Sequence, residues 1–258
     1  MNPEPTRPQL RKASSEGGKR GPLKTSQRIA NEIVRDIVDQ RLQPGTLLPG
    51  EAAMLEIYAV SRSSLREALR ILETNGFVRV RPGPGGGPIV NDVSPADFGR
   101  TTALFLQMGR TTYGELLEAR IMMEPFMARL AAEGGAGDRL DELKASLERH
   151  NRLDASDATE YIDVVQEFHG VVAGLSGNGV LDLFGRCLKE IFTTRVMASH
   201  QPAARWRHVK AEHEAIAQAI LAGDADQAES LMRTHMLEFA ASFKRRYAGL
   251  LDEIISWP

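Results

Sequence analysis

The chain has 258 residues, with 32 Lys or Arg and 34 Asp or Glu, so its formal net charge is −2. This length suggests two domains. The one cysteine, Cys187, excludes an intrachain disulfide and suits a reducing compartment. No apolar run approaches about 18 residues and no signal peptide is visible, so we expect a soluble cytoplasmic protein with no membrane partner.

Charge is distributed unevenly along the chain. Residues 1–91 contain 14 basic and 9 acidic side chains, whereas residues 92–258 contain 18 and 25. Because phosphate binding requires basic residues, the first part favours a nucleic-acid partner and the second does not. Residues 1–20 are rich in Pro, Ser, Gly and basic residues. They predict a disordered basic arm, which either touches phosphates or has no binding role.

Two short helices joined by a turn are predicted between residues 48 and 76. The first follows Leu48-Pro49-Gly50-Glu51, and the second begins after Ser61, whose hydroxyl makes a good N-cap. The second helix has an apolar stripe at helical spacing, formed by Leu65, Ala68, Leu69 and Leu72. Asn75-Gly76 is expected to end it, because both residues tolerate the left-handed conformation of a C-cap.

A two-stranded hairpin is predicted after these helices. Phe77 to Arg81 alternates apolar and basic residues, as a half-buried strand does, and Ile89-Val90 can supply the returning strand. The glycines and prolines of residues 82–88 prevent regular structure but let the backbone approach a groove closely. Residues 21–92 are therefore predicted to form a winged helix-turn-helix, which places one helix in the major groove of DNA.

This segment resembles the DNA-binding domain of GntR-family bacterial transcription regulators. Fourteen positions of that family's pattern are in register: Leu48, Pro49, Glu51, Val60, Ser61, Arg62, Leu65, Arg66, Glu67, Ala68, Leu69, Leu72, Gly76 and Val78. One position departs, since Ala52 stands where the family usually has Arg. A phosphate or base contact is therefore expected to be missing, and the operator preference to differ from the commonest one.

The resemblance implies which residues contact DNA: Arg62, Ser63, Ser64 and Arg66, with the wing around Gly83 in the minor groove. Arg70 lies on the same helix face as Arg62, Ser63 and Arg66, and Arg81 borders the wing, so both join the candidates. Arginine can read guanine through two parallel hydrogen bonds. The alternative is that these arginines form an ordinary solvated face.

Helical periodicity replaces strand signals from about residue 94 onward. Ser94-Pro95 predicts the start of one helix. Six more are predicted over residues 113–133, 138–153, 158–175, 178–200, 203–222 and 224–251. Breaks fall at Gly109, Gly134-Gly135, Ser176-Gly177, Pro202 and Gly223-Asp224, and the last pair is expected to close one helix and cap the next. Residues 93–258 are therefore predicted to form an all-α bundle of about seven helices.

Apolar residues at helical spacing are the candidates for the core of this bundle: Ile121, Phe126, Leu130, Leu147, Phe168, Val172, Leu181, Phe184, Ile191, Ile216, Ile220, Leu231 and Phe239. Three histidines, His169, His213 and His235, also lie on predicted helices among apolar neighbours. Singly, each is an ordinary packed or surface residue. Together they can converge as metal ligands, since neutral imidazoles bind zinc or nickel. His150, His200 and His208 lie near predicted helix ends and are expected at the surface.

The helical part is similar to the effector domain (FCD-type) of the FadR subfamily of GntR regulators. The matching positions are Arg120, Glu124, Phe168-His169, Ser176-Gly177-Asn178, His213, Ile216, Ala219-Ile220, Gly223-Asp224 and His235. The family's metal-binding Asp lies four residues before the first His, and that position is Val165 here. Three imidazoles with water or an effector carboxylate can still complete a site, so a divalent metal (zinc or nickel) and a metal-free pocket both stay open.

The same resemblance implies a small carboxylate effector inside the bundle, with Arg120 and Asn178 in its pocket. An arginine suits a carboxylate because its planar fork donates two parallel hydrogen bonds. Arg195 lies on the helix after Asn178 and is a further candidate. The alternative for Arg120 is a salt bridge to Glu124.

The leading hypothesis is a ligand-responsive transcription regulator, a repressor, that binds a palindromic operator in double-stranded DNA as a homodimer. No enzymatic activity is expected, because position 217, where an HExxH motif starting at His213 needs its second His, is Ala217. There is also no Gly-x-Ser-x-Gly motif or phosphate-binding loop. The alternatives are an architectural DNA binder without a ligand and a metal-dependent helical hydrolase with a DNA-targeting head.

Overall fold

The structure is a computed structural model that describes residues 24–83, 85–92, 95–134, 139–153, 158–196 and 206–256. It divides into two compact units at Asp97 and Phe98, whereas the sequence analysis places the division after residue 92. Several predictions lie outside the described residues: the basic arm of residues 1–20, the cap at Ser94, the break at Pro202 and the position of His200.

The first unit contains three helices and a hairpin in its described part. They are α1 (Thr25–Asp39), α2 (Glu51–Tyr58), α3 (Arg62–Thr74), β1 (Val78–Arg81) and β2 (Gly87–Val90). The strands are antiparallel, with Val78 opposite Val90 and Arg81 opposite Gly87. This confirms the predicted winged helix-turn-helix.

Helix α1 was not predicted, although its apolar spacing is helical. Ile29 and Ile33 are fully buried and Ile37 packs against the same core. No capping side chain marks the start of α1 in the sequence, since Lys24 at the N-cap makes no side-chain cap hydrogen bond. Helix α1 packs against α3. Helices α1 and α3 share a core with Val78 and Val90, the buried ends of the two hairpin strands.

The ends of α3 are as predicted, with one difference. The Ser61 hydroxyl accepts the Ser64 N–H at 3.3 Å, which confirms the N-cap. At the other end Gly76 has φ +75°, the left-handed conformation that favours glycine, whereas Asn75 stays right-handed with φ −88°. The predicted apolar stripe faces the core, since Leu65, Ala68 and Leu72 are buried.

The alternation predicted for the first strand of the wing is wrong. Val78 is buried, but Val80 is 44% exposed and Phe77 is 36% exposed. A sheet of two strands has no second layer, so only the end of the strand next to the helices finds a core.

The second unit contains seven helices in its described part, as predicted. They are α4 (Pro95–Met108), α5 (Tyr113–Glu133), α6 (Leu140–Arg152), α7 (Ala158–Leu175), α8 (Gly179–Val196), α9 (Trp206–Leu221) and α10 (Ala225–Leu251). Helix α5 begins with a capping box, in which Thr112 and Glu115 bond each other's backbone N–H groups. Gly223 at φ +71° ends α9, and the Asp224 carboxylate caps α10 through the Gln227 N–H, as predicted.

Most core candidates of the bundle are buried or pack at the edge of the core, but two are wrong. Phe168, Val172, Ile191, Ile216 and Ile220 are buried. Phe126 and Phe184 are instead 47% and 41% exposed. Periodicity identifies an apolar face but not what covers it, and these two residues belong to faces that the bundle leaves uncovered. Among the described residues, no helix is long and apolar enough to cross a membrane.

Candidate functional site

One face of α3 presents polar and basic side chains to solvent. Arg62, Ser63, Arg66 and Arg70 are exposed there, while Ser64 is half-buried beside the Ser61 cap. We call these five residues, Arg62, Ser63, Ser64, Arg66 and Arg70, the reading face. The Arg66 guanidinium bonds the Glu51 carboxylate at 3.3 and 3.4 Å. Exposed pairs of this kind contribute only about 0–1 kcal/mol, so Arg66 can exchange Glu51 for another acceptor at little cost.

The tip of the wing is built for close approach. Arg81 is exposed and donates to the carbonyl oxygen of Gly85 at 3.2 Å. Gly83 has φ +95° and open space around its missing side chain. A side chain at Gly86 would lie 2.2 Å from the carbonyl oxygen of Arg81, so only glycine fits that turn. The tip of the wing therefore presents backbone groups and the Arg81 guanidinium to a binding partner.

The second site lies inside the helical unit, where the three predicted histidines meet. His169 on α7, His213 on α9 and His235 on α10 are 7%, 0% and 4% exposed. We call them the histidine cluster. The Nε2 atom of His235 lies 3.3 Å from Nε2 of His213 and 3.4 Å from Nε2 of His169. Sequence spacing suggested that these side chains could converge, and the packing of three helices brings them together.

Each ring of the histidine cluster is bonded on its outer nitrogen. Nδ1 of His169 lies 2.5 Å from the Glu124 carboxylate, and Nδ1 of His235 lies 3.0 Å from the Glu212 carboxylate. Nδ1 of His213 lies 2.9 Å from Nε2 of His150. Carboxylates only accept, so His169 and His235 donate their Nδ1 protons to them. When these imidazoles are neutral, Nε2 of each is left with a lone pair that points at the other.

His150 is a correction to the sequence analysis, which placed it at the surface. It is 1% exposed on α6 and stacks on the Trp206 ring, with the ring centroids 5.7 Å apart. Its position near a helix end was misleading, because that end packs into the bundle. The presence of Trp206 on the facing helix was the signal that could have found it. His208, by contrast, is 56% exposed as expected and bonds Glu212 and Glu238.

Burial favours the neutral form of His213 and His169. It lowers the pKa of His213 well below the usual value, and the neighbouring histidines lower it further. Burial also lowers the pKa of His169, although the Glu124 carboxylate opposes that effect. Glu124 stays ionised despite its own burial, because Arg120 and His169 hold the pKa of its carboxyl well below the usual range. Neutral imidazole is the form that binds metal.

The donor set fits a divalent transition metal. Three neutral imidazole nitrogens, each held by an outer acceptor, are a common arrangement for zinc and related ions. Two nitrogens bound to one tetrahedral zinc lie about 3.4 Å apart, given zinc–nitrogen bonds of about 2.0–2.1 Å. The distances between the Nε2 atoms of the cluster, 3.3 and 3.4 Å, agree with that value. Val165 is buried beside Val164, Trp206 and Val209 and supplies no ligand.

Arg120 lies next to the histidine cluster and is paired. Its Nε donates to Glu124 at 2.6 Å, and the side chains are 3% and 8% exposed, so the salt bridge left open by the sequence exists. Its guanidinium carbon lies 5.3 Å from the centre of the Phe192 ring. Among the described residues, Glu124 is its one hydrogen-bond partner. The two terminal NH₂ groups thus have no acceptor within that part of the chain.

Lys189 was missed by the sequence analysis. It is half-buried on α8, and burial lowers the pKa of its amine, with a further lowering by the charge of Arg120. Nothing in its sequence context distinguishes it from a surface lysine. Its amine lies near the positive charge of Arg120 and near the carboxylates of Glu190 and Asp163.

The structure does not bring Asn178 and Arg195 to this interior region. Asn178 is exposed, and its side-chain oxygen caps α8 by accepting the N–H groups of Val180 and Leu181. Arg195 is 43% exposed and donates to Glu253 at 2.9 Å. Both were candidates for an effector pocket, but Asn178 caps a helix and Arg195 forms a surface ion pair.

Comparison with known proteins identifies matches to both units. Residues 25–86 match the family described as bacterial regulatory proteins, gntR family, and residues 115–238 match the FCD domain. The HTH-type transcriptional repressor NanR of Enterobacter sp. (strain 638) is 28% identical over 229 residues, which is 85% of this chain and 85% of NanR. The HTH-type transcriptional regulator LutR of Bacillus subtilis (strain 168) is 28% identical over 206 residues, 78% of this chain and 92% of LutR.

A solved structure has the same fold. Streptococcus agalactiae GntR superposes with a TM-score of 0.68 at 24% identity, covering 84% of this chain and 99% of that one. Both proteins are therefore built from the same arrangement of elements.

The buried pair predicts a difference between two carboxylates on α5. Glu124→Gln leaves the Arg120 charge buried without a counter-charge, so we expect a loss of about 3–5 kcal/mol of unfolding free energy. Glu133→Gln is the matched control: Glu133 is also four residues after an arginine, Arg129, but is 45% exposed. Its cost should be about 0–1 kcal/mol. Urea unfolding followed by circular dichroism measures both, and equal costs would contradict an ionised, structurally important Glu124.

Proposed function

The chain belongs to the GntR family of bacterial regulatory proteins and is a DNA-binding transcription regulator with an FCD domain, and from this premise we propose that it is a repressor whose operator affinity is set by a small carboxylate bound beside a divalent metal. The proposal depends mainly on one observation: three buried imidazole lone pairs converge next to a buried arginine.

The reading face is the part of the first unit that we assign to base contacts. The arginines of the reading face are exposed, and the opposite face of α3 is buried in the core. The helix can therefore enter a groove of DNA while the first unit stays folded. Arg66 is paired only at the surface, with Glu51. Arg81 and Gly83 at the wing are assigned to the minor groove and its phosphates. Ala52 is exposed on α2 and offers no contact there.

We propose that two copies of the chain bind one operator. A single reading helix contacts too few bases for useful specificity, and a two-fold pair doubles the site. The helical unit has an uncovered apolar face suited to a second copy. Met122 and Phe126 on α5, and Val180 and Phe184 on α8, are paired at i and i+4 and are 41–75% exposed. An apolar face on two neighbouring helices is typical of an association surface.

The metal proposal names His169, His213 and His235 as the ligands. A divalent ion, zinc or nickel, would supply a Lewis-acidic centre with open positions for anionic oxygen. The residues of the chain hold the three rings and exclude bulk water from them. Val165, in place of a carboxylate, leaves the ligand set uncharged, which favours an anion from outside as a further ligand.

The effector proposal assigns a carboxylate to the region between Arg120 and the histidine cluster. The terminal NH₂ groups of Arg120 can donate two parallel hydrogen bonds to one carboxylate. Lys189 adds positive charge near them. Binding would shift the helical unit toward the conformation that holds this ligand better, and so change operator affinity.

Selection of bound duplexes from a random library tests the DNA proposal. We expect the wild-type chain to enrich a short palindrome, and Arg66→Ala to lose about 1–3 kcal/mol of discrimination for each half-site. Arg149→Ala on α6 makes the same change of charge in the other unit and is the matched control. Enrichment of the same palindrome by Arg66→Ala, with unchanged affinity, would overturn the assignment; a non-repeated site would overturn the two-fold pair.

Titration of the chelator-treated protein with zinc and nickel tests the metal proposal. We expect one ion per chain. Loss of an outer partner alone costs about 10–100-fold in affinity, so His235→Ala should cost at least the upper end of that range. His208→Ala removes a ligand from the second candidate group, His208, Glu212 and Glu238, which shares Glu212 with the outer bond of His235, and should leave the stoichiometry unchanged. Loss of the ion in His208→Ala alone would show that the buried site is the wrong one.

Release of the selected operator by acetate, succinate and tricarballylate tests the effector proposal. Arg120→Lys keeps the charge but removes the planar fork, so the carboxylate concentration for half-release should rise about 10–100-fold. Arg129→Lys, on the same helix and partly exposed, is the control and should respond like the wild type. Absence of release by any of the three acids, with metal bound, would contradict a carboxylate effector.

A further inference from the structure

His150 is held by a hydrogen bond whose direction is unambiguous. Its Nδ1 atom lies 2.9 Å from the backbone oxygen of Ser146, one turn earlier on α6. A carbonyl oxygen can only accept, so Nδ1 of His150 carries a proton. In the neutral ring Nε2 then has no proton and is an acceptor. That acceptor lies 2.9 Å from Nδ1 of His213.

The direction of the first bond therefore determines the tautomer of His213. Since Nε2 of His150 accepts, Nδ1 of His213 must donate, and its neutral ring keeps the lone pair on Nε2. That atom is the one 3.3 Å from Nε2 of His235. Without an acceptor at His150, the His213 proton is free to occupy Nε2 instead, where it would block metal binding.

Packing keeps His150 and His213 in this arrangement. The His150 ring stacks on Trp206 at an interplanar angle of 21° and meets the Phe168 ring edge-on, with centroids 5.8 Å apart. Phe168 in turn stacks on the His213 ring, with centroids 4.1 Å apart and an angle of 14°. Both imidazoles are almost completely buried. Their rings thus cannot turn without displacing two aromatic neighbours.

His213 differs from the other two histidines in the kind of acceptor it has. His169 and His235 donate to the carboxylates of Glu124 and Glu212, whereas His213 donates to a neutral imidazole. Among the described residues, the ring of His150 is the hydrogen-bond partner of this Nδ1 atom. A neutral acceptor orients the ring without adding a further buried charge.

We propose that His150 is a positioning residue for the buried metal site, which accepts the Nδ1 proton of His213 and so commits the Nε2 lone pair of His213 to the metal. This rests on the proposed metal function of the histidine cluster. It extends the site to α6, a helix that supplies no ligand. It also gives a buried histidine outside the ligand set a specific role.

Two-bond ¹H–¹⁵N correlation spectra of the metal-free wild-type protein at pH 8, with labelled histidine, test the tautomer directly. We expect His213, identified through His213→Gln, to carry its proton on Nδ1. A His213 ring that carries its proton mainly on Nε2 would overturn the proposal whatever the metal affinity. This readout does not require that any metal binds.

Zinc titration of two variants tests the consequence. His150→Phe preserves the ring packing but removes the acceptor, and should weaken zinc binding about 10–100-fold. His150→Gln keeps an acceptor oxygen near the position of Nε2 and should retain most of the affinity. Zinc affinity of His150→Phe equal to that of the wild type would overturn the role of His150. Equal losses of affinity in both variants would show that His150 acts only through packing, which would also overturn the proposal. Failure of the wild type itself to bind zinc would instead contradict the metal proposal.

Discussion

The orientation of three buried imidazole rings depends on the atom to which each Nδ1 is bonded. Two carboxylates and one neutral imidazole take the three outer protons, and the inner nitrogens are left facing one another at 3.3 and 3.4 Å. Converging lone pairs in a dry interior need a shared electron-pair acceptor or hydrogen-bond donor between them. The proposed metal ion would be one such acceptor.

The same outer bonds link the histidine cluster to the arginine beside it. Glu124 accepts from Arg120 with one oxygen and from His169 with the other, so one carboxylate orients both a proposed metal ligand and the guanidinium proposed to bind the effector. An anion bonded to the terminal NH₂ groups of Arg120 would share this guanidinium with Glu124, and any change in Glu124 reaches His169. This continuous set of contacts is a physical route by which a carboxylate ligand can alter the packing of α5 against α7.

The first unit, unlike the second, exposes charged side chains for binding while its core keeps it folded. Its core is formed by one face of each helix and the inner ends of the hairpin, which leaves the arginines of α3 in solvent. Tyr58 donates to the buried Asp36 at 2.8 Å, so the one acidic side chain in that core has a partner. The resulting surface is basic on the helix and thin at the wing, as binding to a groove requires.

The sequence by itself determined the elements whose signals are local. Caps at Ser61, Thr112 and Asp224, the apolar stripe of α3 and the helical period after residue 94 depend on neighbours within a few residues, and most of the fold followed from them. It also identified the three histidines, whose spacing matches a known pattern.

Tertiary packing determined the burial and the partners of side chains that contact residues far away in sequence. His150 became an inner residue because Trp206, 56 positions later, covers it, and Phe126 stays exposed because none of the described helices covers its face. Asn178 caps the helix that follows it, Arg195 pairs with Glu253, 58 positions later, and Lys189 lies near Arg120. Periodicity states which residues share a face of a helix, but the neighbour that meets this face is determined by how helices pack, and that depends on side chains far apart in sequence.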